Sequence, residues 1–227
     1  LDAKITLDEN AGFRHPDHAA LALPYREYDD TDVRERIATL RRQLDGAGTT
    51  HVAPGESAWR RRRRVDLSLP VDSSTGWDIG EVSTPIKSYI DQLKNKNVKI
   101  LIPGGGNSYE AEYLHIQGFN NVYVNDIAEK PLLNFKERVS GFLDSHLLLK
   151  DFFDLENSYD IIIEQTFFCA LPVDKRKSYV DKVYELLKPN GKLVGVLFNT
   201  QFDKKGPPFG GSYNEYIDLF QDKFHIR

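Results

Sequence analysis

The chain has 227 residues, 40% of them apolar and 11% aromatic, with a formal net charge of -4. That is enough for one generous domain or one domain with an appendage, and the charge gives no overall pull toward nucleic acid. No apolar run is long enough to cross a bilayer, residues 1–10 lack the basic-then-apolar layout of a secretory signal, and the single cysteine, Cys169, excludes an internal disulfide and a cysteine-rich metal site; a cytosolic protein without a metal is expected.

Composition changes near Thr75. The first 75 residues carry 11 Arg and 1 Lys, whereas Gly76 onward carries 3 Arg and 15 Lys; alanine falls from 9 to 3 across the same boundary, and methionine is absent throughout. Residues 1–75 are therefore expected to be a separate N-terminal segment of fusion or engineered origin, and residues 76–227 a domain of their own. Within the first segment the clear element is a helix in TDVRERIATLRRQLDGAG, with Val33, Ile37, Leu40 and Leu44 on one face, Asp30 or Thr31 as its cap and Gly46 as its stop. The basic run Trp59–Arg64 reads as a solvated linker more readily than as a phosphate-binding patch, and His15 with His18 lack the further ligands a metal needs.

From Gly76 the elements follow in alternation. PIKSYIDQLKNK is a helix with Ile86, Ile90 and Leu93 on one face; VKILIP is a buried strand that runs into Gly104, Gly105 and Gly106. SYEAEYLHIQG is a helix closed by Gly118, NVYVNDI a second strand, PLLNFKERV a helix, HLLLKD a third strand and YDIIIEQ a fourth. DKRKSYVDKVYELLKPNG is expected to be a helix capped by Asp174 and stopped by Pro-Asn-Gly, followed by a fifth strand, GKLVGVLFN, and a helix in YNEYIDLFQDK. Strands alternating with helices imply βαβ units and a parallel sheet covered on both faces, and the continuous apolar character of strands one, four and five agrees with two-sided burial. The terminal KFHIR reads as the start of a sixth strand. A seventh, next to the fifth, has no sequence left, so the sheet is expected to lack its last strand and the chain to be incomplete there.

In open parallel sheets ligands bind beyond the carboxyl ends of the strands, where the strand order reverses. Glycines at such a point let the backbone turn sharply and approach a ligand, and the following helix offers free N–H groups. Asp126 stands at the end of the second strand, where a carboxylate can accept both ribose hydroxyls of a nucleoside. This pattern fits a dinucleotide or S-adenosylmethionine. The dinucleotide fingerprint asks for a third glycine where Tyr109 stands, which tilts the reading toward the methyl donor.

Four further stretches sharpen it: TGWDIGEVSTPIKSY before the first strand, KDFFDL after the third, EQTFFCALP ending the fourth and GPPFGGS after the fifth. Together they resemble the thiopurine S-methyltransferase family in its wide sense, which includes thiol and halide methyltransferases. The resemblance implies a doubly wound, mostly parallel, Rossmann-like α/β sheet, S-adenosylmethionine as methyl donor, and a thiol, thiopurine or halide as acceptor. It further implies that Trp77 closes over the donor, that Gly104 and Gly106 contact its methionyl portion, and that Asp126 holds the ribose with Ile127 against the adenine. Asp151 and Phe152 then bind the adenine edge and face, and Gln165 lines the donor site. Pro208 and Phe209 border the acceptor pocket, and Phe167 and Phe168 are further candidates for it that read equally well as plain core. The family usually carries GCG where this chain has Gly105 in the middle, and an aromatic-rich helix where this chain has RRRRRVDLSLPVDSS.

Methyl transfer from a sulfonium is a displacement in line, in which the protein mainly positions and desolvates. A thiolate or halide acceptor needs little help from a base; Glu164 and His225 are the available candidates, and both read as structural. A monomer acting on a small molecule is expected. The reading set against it is a non-catalytic nucleoside-binding protein whose Arg-rich segment contacts nucleic acid.

Overall fold

The computed structural model describes residues 79–203 and 205–226. The expected helix around Val33–Leu44, the basic run Trp59–Arg64, the His15/His18 pair and the donor-closing Trp77 lie outside the described residues.

The described residues form a doubly wound α/β unit. In chain order they give α1 (Thr84–Asp91), β1 (Ile100–Pro103), α2 (Tyr109–Ile116), β2 (Val122–Asp126), α3 (Glu129–Arg138), β3 (Leu147–Leu149), β4 (Tyr159–Gln165), α4 (Arg176–Leu186), β5 (Leu187–Val196) and α5 (Tyr213–Phe220). The five strands make one sheet in the order β3-β2-β1-β4-β5, with every neighbouring pair parallel. Chain order runs outward from β1 through β2 to β3, then restarts at β4 on the other side of β1. That reversal opens the crevice between the carboxyl ends of β1 and β4.

Two-sided burial explains the strand sequences. All four residues of β1 are buried, as are Ile161, Ile162 and Ile163 of β4. Alternation sends Leu101, Ile162 and Leu193 to one face, where they meet Tyr179, Val180 and Val183 of α4 and Tyr216 and Phe220 of α5. The helices α2 and α3 pack on β2, and α1 packs on α2; their buried side chains include Ile86, Ile90, Ala111, Leu114, Leu132 and Phe135.

Three local expectations are corrected. Helix α1 ends at Asp91, its C-cap Gln92 donating to Tyr89 and Ile90 carbonyls, and the polar run Lys94–Asn97 is left outside it. Helix α4 is not capped by Asp174: a 3-10 turn over Val173–Lys175 precedes it, Lys175 is its cap residue, and it stops at Leu186. The Pro-Asn-Gly signal marks an irregularity within β5 instead. Tyr159 pairs with Leu187 but Ile161 pairs with Lys192, so Lys188–Gly191 forms an excursion, with Asn190 at φ +63°. The expected sixth strand is also absent from the described residues. After α5 the chain turns, and Phe224 is buried against Phe220 and Tyr184; burial of that ring in the helical layer takes the place of a strand start.

Candidate functional site

The glycine corner joins β1 to α2 at the switch point. Gly104 and Gly106 have φ of +56° and +49°, the left-handed region that favours glycine. At Gly104 space matters as well, since an added Cβ would lie 2.1 Å from the Phe167 ring. At Gly105 the requirement is one of space: a Cβ there would meet Ser108 Oγ at 2.5 Å and Val124 Cγ1 at 2.6 Å. Nothing lies within 4 Å of the Cβ position at Gly106, so the corner is open on that side.

Asp126 reaches this corner from β2. Its Oδ2 accepts the Gly106 N–H at 3.0 Å and its Oδ1 accepts the Ala128 N–H at 2.8 Å. A carboxylate offers about four acceptor directions, so two remain for a ligand's hydroxyls. Asn125 completes the frame. Its carbonyl accepts the Gly105 N–H at 3.0 Å, and its buried side-chain amide donates to the carbonyls of Leu148 and Lys150 at 3.0 and 2.8 Å. One strand end thus ties the corner to the segment after β3. From α3, Arg138 donates to Glu112 at 2.7 Å and to the Asn107 carbonyl.

The remaining expected donor-side residues divide. Ile127 is 74% exposed beside the crevice. Asp151 is exposed and caps the short turn Phe152–Asp154, accepting the Phe153 N–H at 2.9 Å. Phe152 does not present an open face: it is 3% exposed, with its ring stacked on Tyr179 at 5.4 Å between centroids. The core has claimed that ring, and its neighbour Phe153 is half-buried. Gln165, at the end of β4, accepts the hydroxyl proton of Ser83, which precedes α1; this bond brings the entry to α1 to the mouth of the sheet.

On the other side of the crevice the turn after β4 carries Phe167 and Phe168. Phe167 is half-buried against the corner. Phe168 is 1% exposed, packed in the core among Tyr179, Tyr216 and Phe220. Phe209 lies half-buried in the loop after β5, next to Pro208. The Phe209 N–H donates to the Cys169 carbonyl at 2.7 Å, so the two loops are stitched together. Arg176, the first residue of α4, is buried and donates to the Phe209 and Gly210 carbonyls at 3.3 and 2.7 Å; its guanidinium lies 4.9 Å from the Phe168 ring centre.

Two buried carboxylates stand near this boundary. Burial pushes Glu164 of β4 and Glu110 of α2 each up to about 7, with the Glu110 charge a smaller contributor at Glu164. Asn125 and Arg176 are not readable as site-building residues in the sequence, and Glu164 is readable there only as a structural acid. The one available signal is a polar residue inside or next to an apolar run, as in DIIIEQ.

A family model described as thiopurine S-methyltransferase matches residues 70–227. Among curated relatives, a probable thiol methyltransferase 2 of Arabidopsis thaliana is 28% identical over 153 residues, covering 63% of this chain and 65% of that protein. A thiopurine S-methyltransferase of Legionella pneumophila is 30% identical over 161 residues, covering 62% of this chain and 72% of that protein. The chain spans about two thirds of the length of the plant relatives it matches. Among solved structures, the magnesium protoporphyrin IX methyltransferase of Synechocystis with bound SAH superposes with a TM-score of 0.51 at 15% identity, covering 61% of this chain and 70% of that one, a likeness of fold.

Proposed function

Because the chain belongs to the thiopurine S-methyltransferase family, we propose that residues 76–227 transfer a methyl group from S-adenosylmethionine to a small thiol, thiopurine or halide. The observation that carries this reading is the Asp126 carboxylate bound to the Gly106 N–H at the strand-order reversal, with two acceptor directions to spare. The residues fit an adenosyl donor. Asp126 binds the ribose hydroxyls, the open corner at Gly106 admits the methionyl portion, and Ile127 and Asp151 flank the adenine. S-adenosylmethionine, when bound, supplies a methyl group already activated by its sulfonium charge.

The chain's own part is to orient and to exclude water. Phe167 stands at the corner and supplies an aromatic face that favours a nearby cation. Pro208 and Phe209, anchored by Arg176, form the far wall of the acceptor space. A thiolate or halide needs no proton removed at the moment of attack, which suits a site whose buried carboxyl Glu164 accepts three protein donors.

Transfer of labelled methyl from S-adenosylmethionine to hydrosulfide, a thiopurine and iodide tests the reading. Calorimetry with S-adenosylhomocysteine should give binding that Asp126→Ala weakens roughly tenfold to a hundredfold, the worth of a lost charged hydrogen-bond partner. Absence of both binding and transfer in the wild-type chain overturns it.

A further inference from the structure

Glu164 is buried on the α4 face of β4. Its Oε1 accepts the N–H groups of Phe167 and Phe168 at 3.0 and 2.9 Å, and its Oε2 accepts the Tyr179 hydroxyl at 2.9 Å. Room for it comes from β5: a Cβ at Gly195 would lie 2.6 Å from the Glu164 Cβ. A carboxylate buried this deeply is costly unless its lone pairs are satisfied, and here the donors come from one turn and one core tyrosine.

That turn does not adopt an easy conformation. Thr166, between Glu164 and the two clamped N–H groups, has φ +66°, a left-handed backbone that a β-branched residue keeps only when its surroundings over-determine it. The product of the clamp is the place of the Phe167 ring, whose Cδ2, Cγ and Cβ fill the space a side chain at Gly104 would need. The ring also packs edge-on to Phe152 at 5.3 Å. The chain of contacts therefore runs from a buried carboxyl group, through two backbone donors, to an aromatic wall set against the donor corner.

We propose that Glu164 is a positioning residue: its clamp on the Phe167 and Phe168 N–H groups sets the Phe167 ring against the glycine corner, and so fixes the acceptor wall relative to the methyl donor. This rests on the methyltransferase reading above. Glu164 does not touch the acceptor, because it is 2% exposed and its bonds are to the protein. Its effect reaches the reaction through Phe167, and Asp126 and the corner backbone keep the donor independently of it.

The test is a double-mutant cycle in the full chain with Glu164→Ala, Phe167→Ala and the pair. It reads the KM for iodide and hydrosulfide, kcat, and the affinity for S-adenosylhomocysteine by calorimetry. Glu164→Ala is expected to raise acceptor KM by about tenfold or more while donor affinity stays within about threefold. In the Phe167→Ala background the same substitution is expected to add less than about threefold. Glu164→Asp keeps the charge one methylene short of the turn, so it gives an intermediate KM and serves the same cycle if the alanine variant does not fold. Equal losses of donor affinity and acceptor KM, no change in either, or a full additive effect without the Phe167 ring overturns the inference. A wild-type chain that binds no S-adenosylhomocysteine and methylates neither acceptor overturns the methyltransferase reading itself, before any variant is made.

Discussion

The two banks of the crevice are built by different means. On the β1–β2 bank the fixing is done by backbone: left-handed glycines at 104 and 106, and an Asp126 carboxylate holding the Gly106 N–H. On the β4–β5 bank it is done by buried charge and aromatic packing, with Glu164 and Arg176 clamping loops that carry Phe167 and Phe209. Positive-φ glycines admit few replacements, whereas the opposite bank is held by side chains that can be exchanged one at a time. The donor bank is thus expected to tolerate little change, and the acceptor bank to be tunable without loss of donor binding.

The substitution with the largest expected effect strikes where the banks touch. Gly104→Ala forces a non-glycine into φ +56° and places a Cβ 2.1 Å from the Phe167 ring. The backbone strain costs about 1–2 kcal/mol and the overpacking about 1–3 kcal/mol. A loss of roughly 2–5 kcal/mol in denaturant unfolding is expected, together with loss of S-adenosylhomocysteine binding. Because the clash is with one ring, Gly104→Ala combined with Phe167→Ala should regain part of the stability. If it regains none, the two banks do not meet as described.

Acidity provides the next contrast. Glu110 stands in the first turn of the donor-bank helix and Glu164 near the end of the acceptor-bank strand, and burial raises both from an ordinary 4.5 to about 7. Between these values the unfolded carboxyls are ionised while the folded ones still hold protons. The folded state then binds more protons, so stability falls as pH rises from about 4.5 to about 7 and levels off above that. Both groups contribute to the decline, because each holds its proton above the ordinary carboxyl range in the folded state. Unfolding at pH 5.5 and 8 checks it, with Glu164→Gln expected to flatten the dependence. Its charged and polar neighbours are Tyr179, Glu110 and, beyond Glu110, Arg138, so a profile unchanged by Glu164→Gln would assign the dependence to Glu110.

The same division governs what is legible in the sequence. The strands appear as apolar runs, the corner as three glycines and the corner's carboxylate as Asp126 at a strand end, because each is a local signal. The Pro-Asn-Gly stop misleads for the same reason. Taken locally it ends a helix, but the partner strand absorbs it as an excursion in β5, and pairing is not visible in one segment. Their motifs present Phe152 and Phe168 as site aromatics. Burial separates them: Phe152 and Phe168 are 3% and 1% exposed around Tyr179, while Phe167, which also touches Tyr179, stays half-buried at the corner. Asn125 and Arg176 act through partners 23 to 34 positions away, and Glu164 joins a turn three to four positions on to Tyr179 fifteen away, which no periodicity announces.

The smallest expected effect is the sharpest test of independence between the banks. Arg176 holds the Phe209 and Gly210 carbonyls from the start of α4, over the Phe168 and Tyr216 rings. Replacing it with glutamine forfeits hydrogen bonds to a charged donor, about 1.5–3 kcal/mol, but also removes a buried cation whose desolvation was costly. The two oppose, so net destabilisation of only about 1 kcal/mol is expected. The loop that carries Pro208 and Phe209 loses its anchor all the same, and acceptor KM should rise while S-adenosylhomocysteine affinity holds. Arg176→Lys retains the charge without the planar fork that spans two carbonyls. If lysine restores the KM, charge beside the acceptor governs the effect; if it behaves as glutamine does, the fork governs it. Either substitution weakening donor binding as much as it raises acceptor KM would mean the two banks are a single mechanical unit.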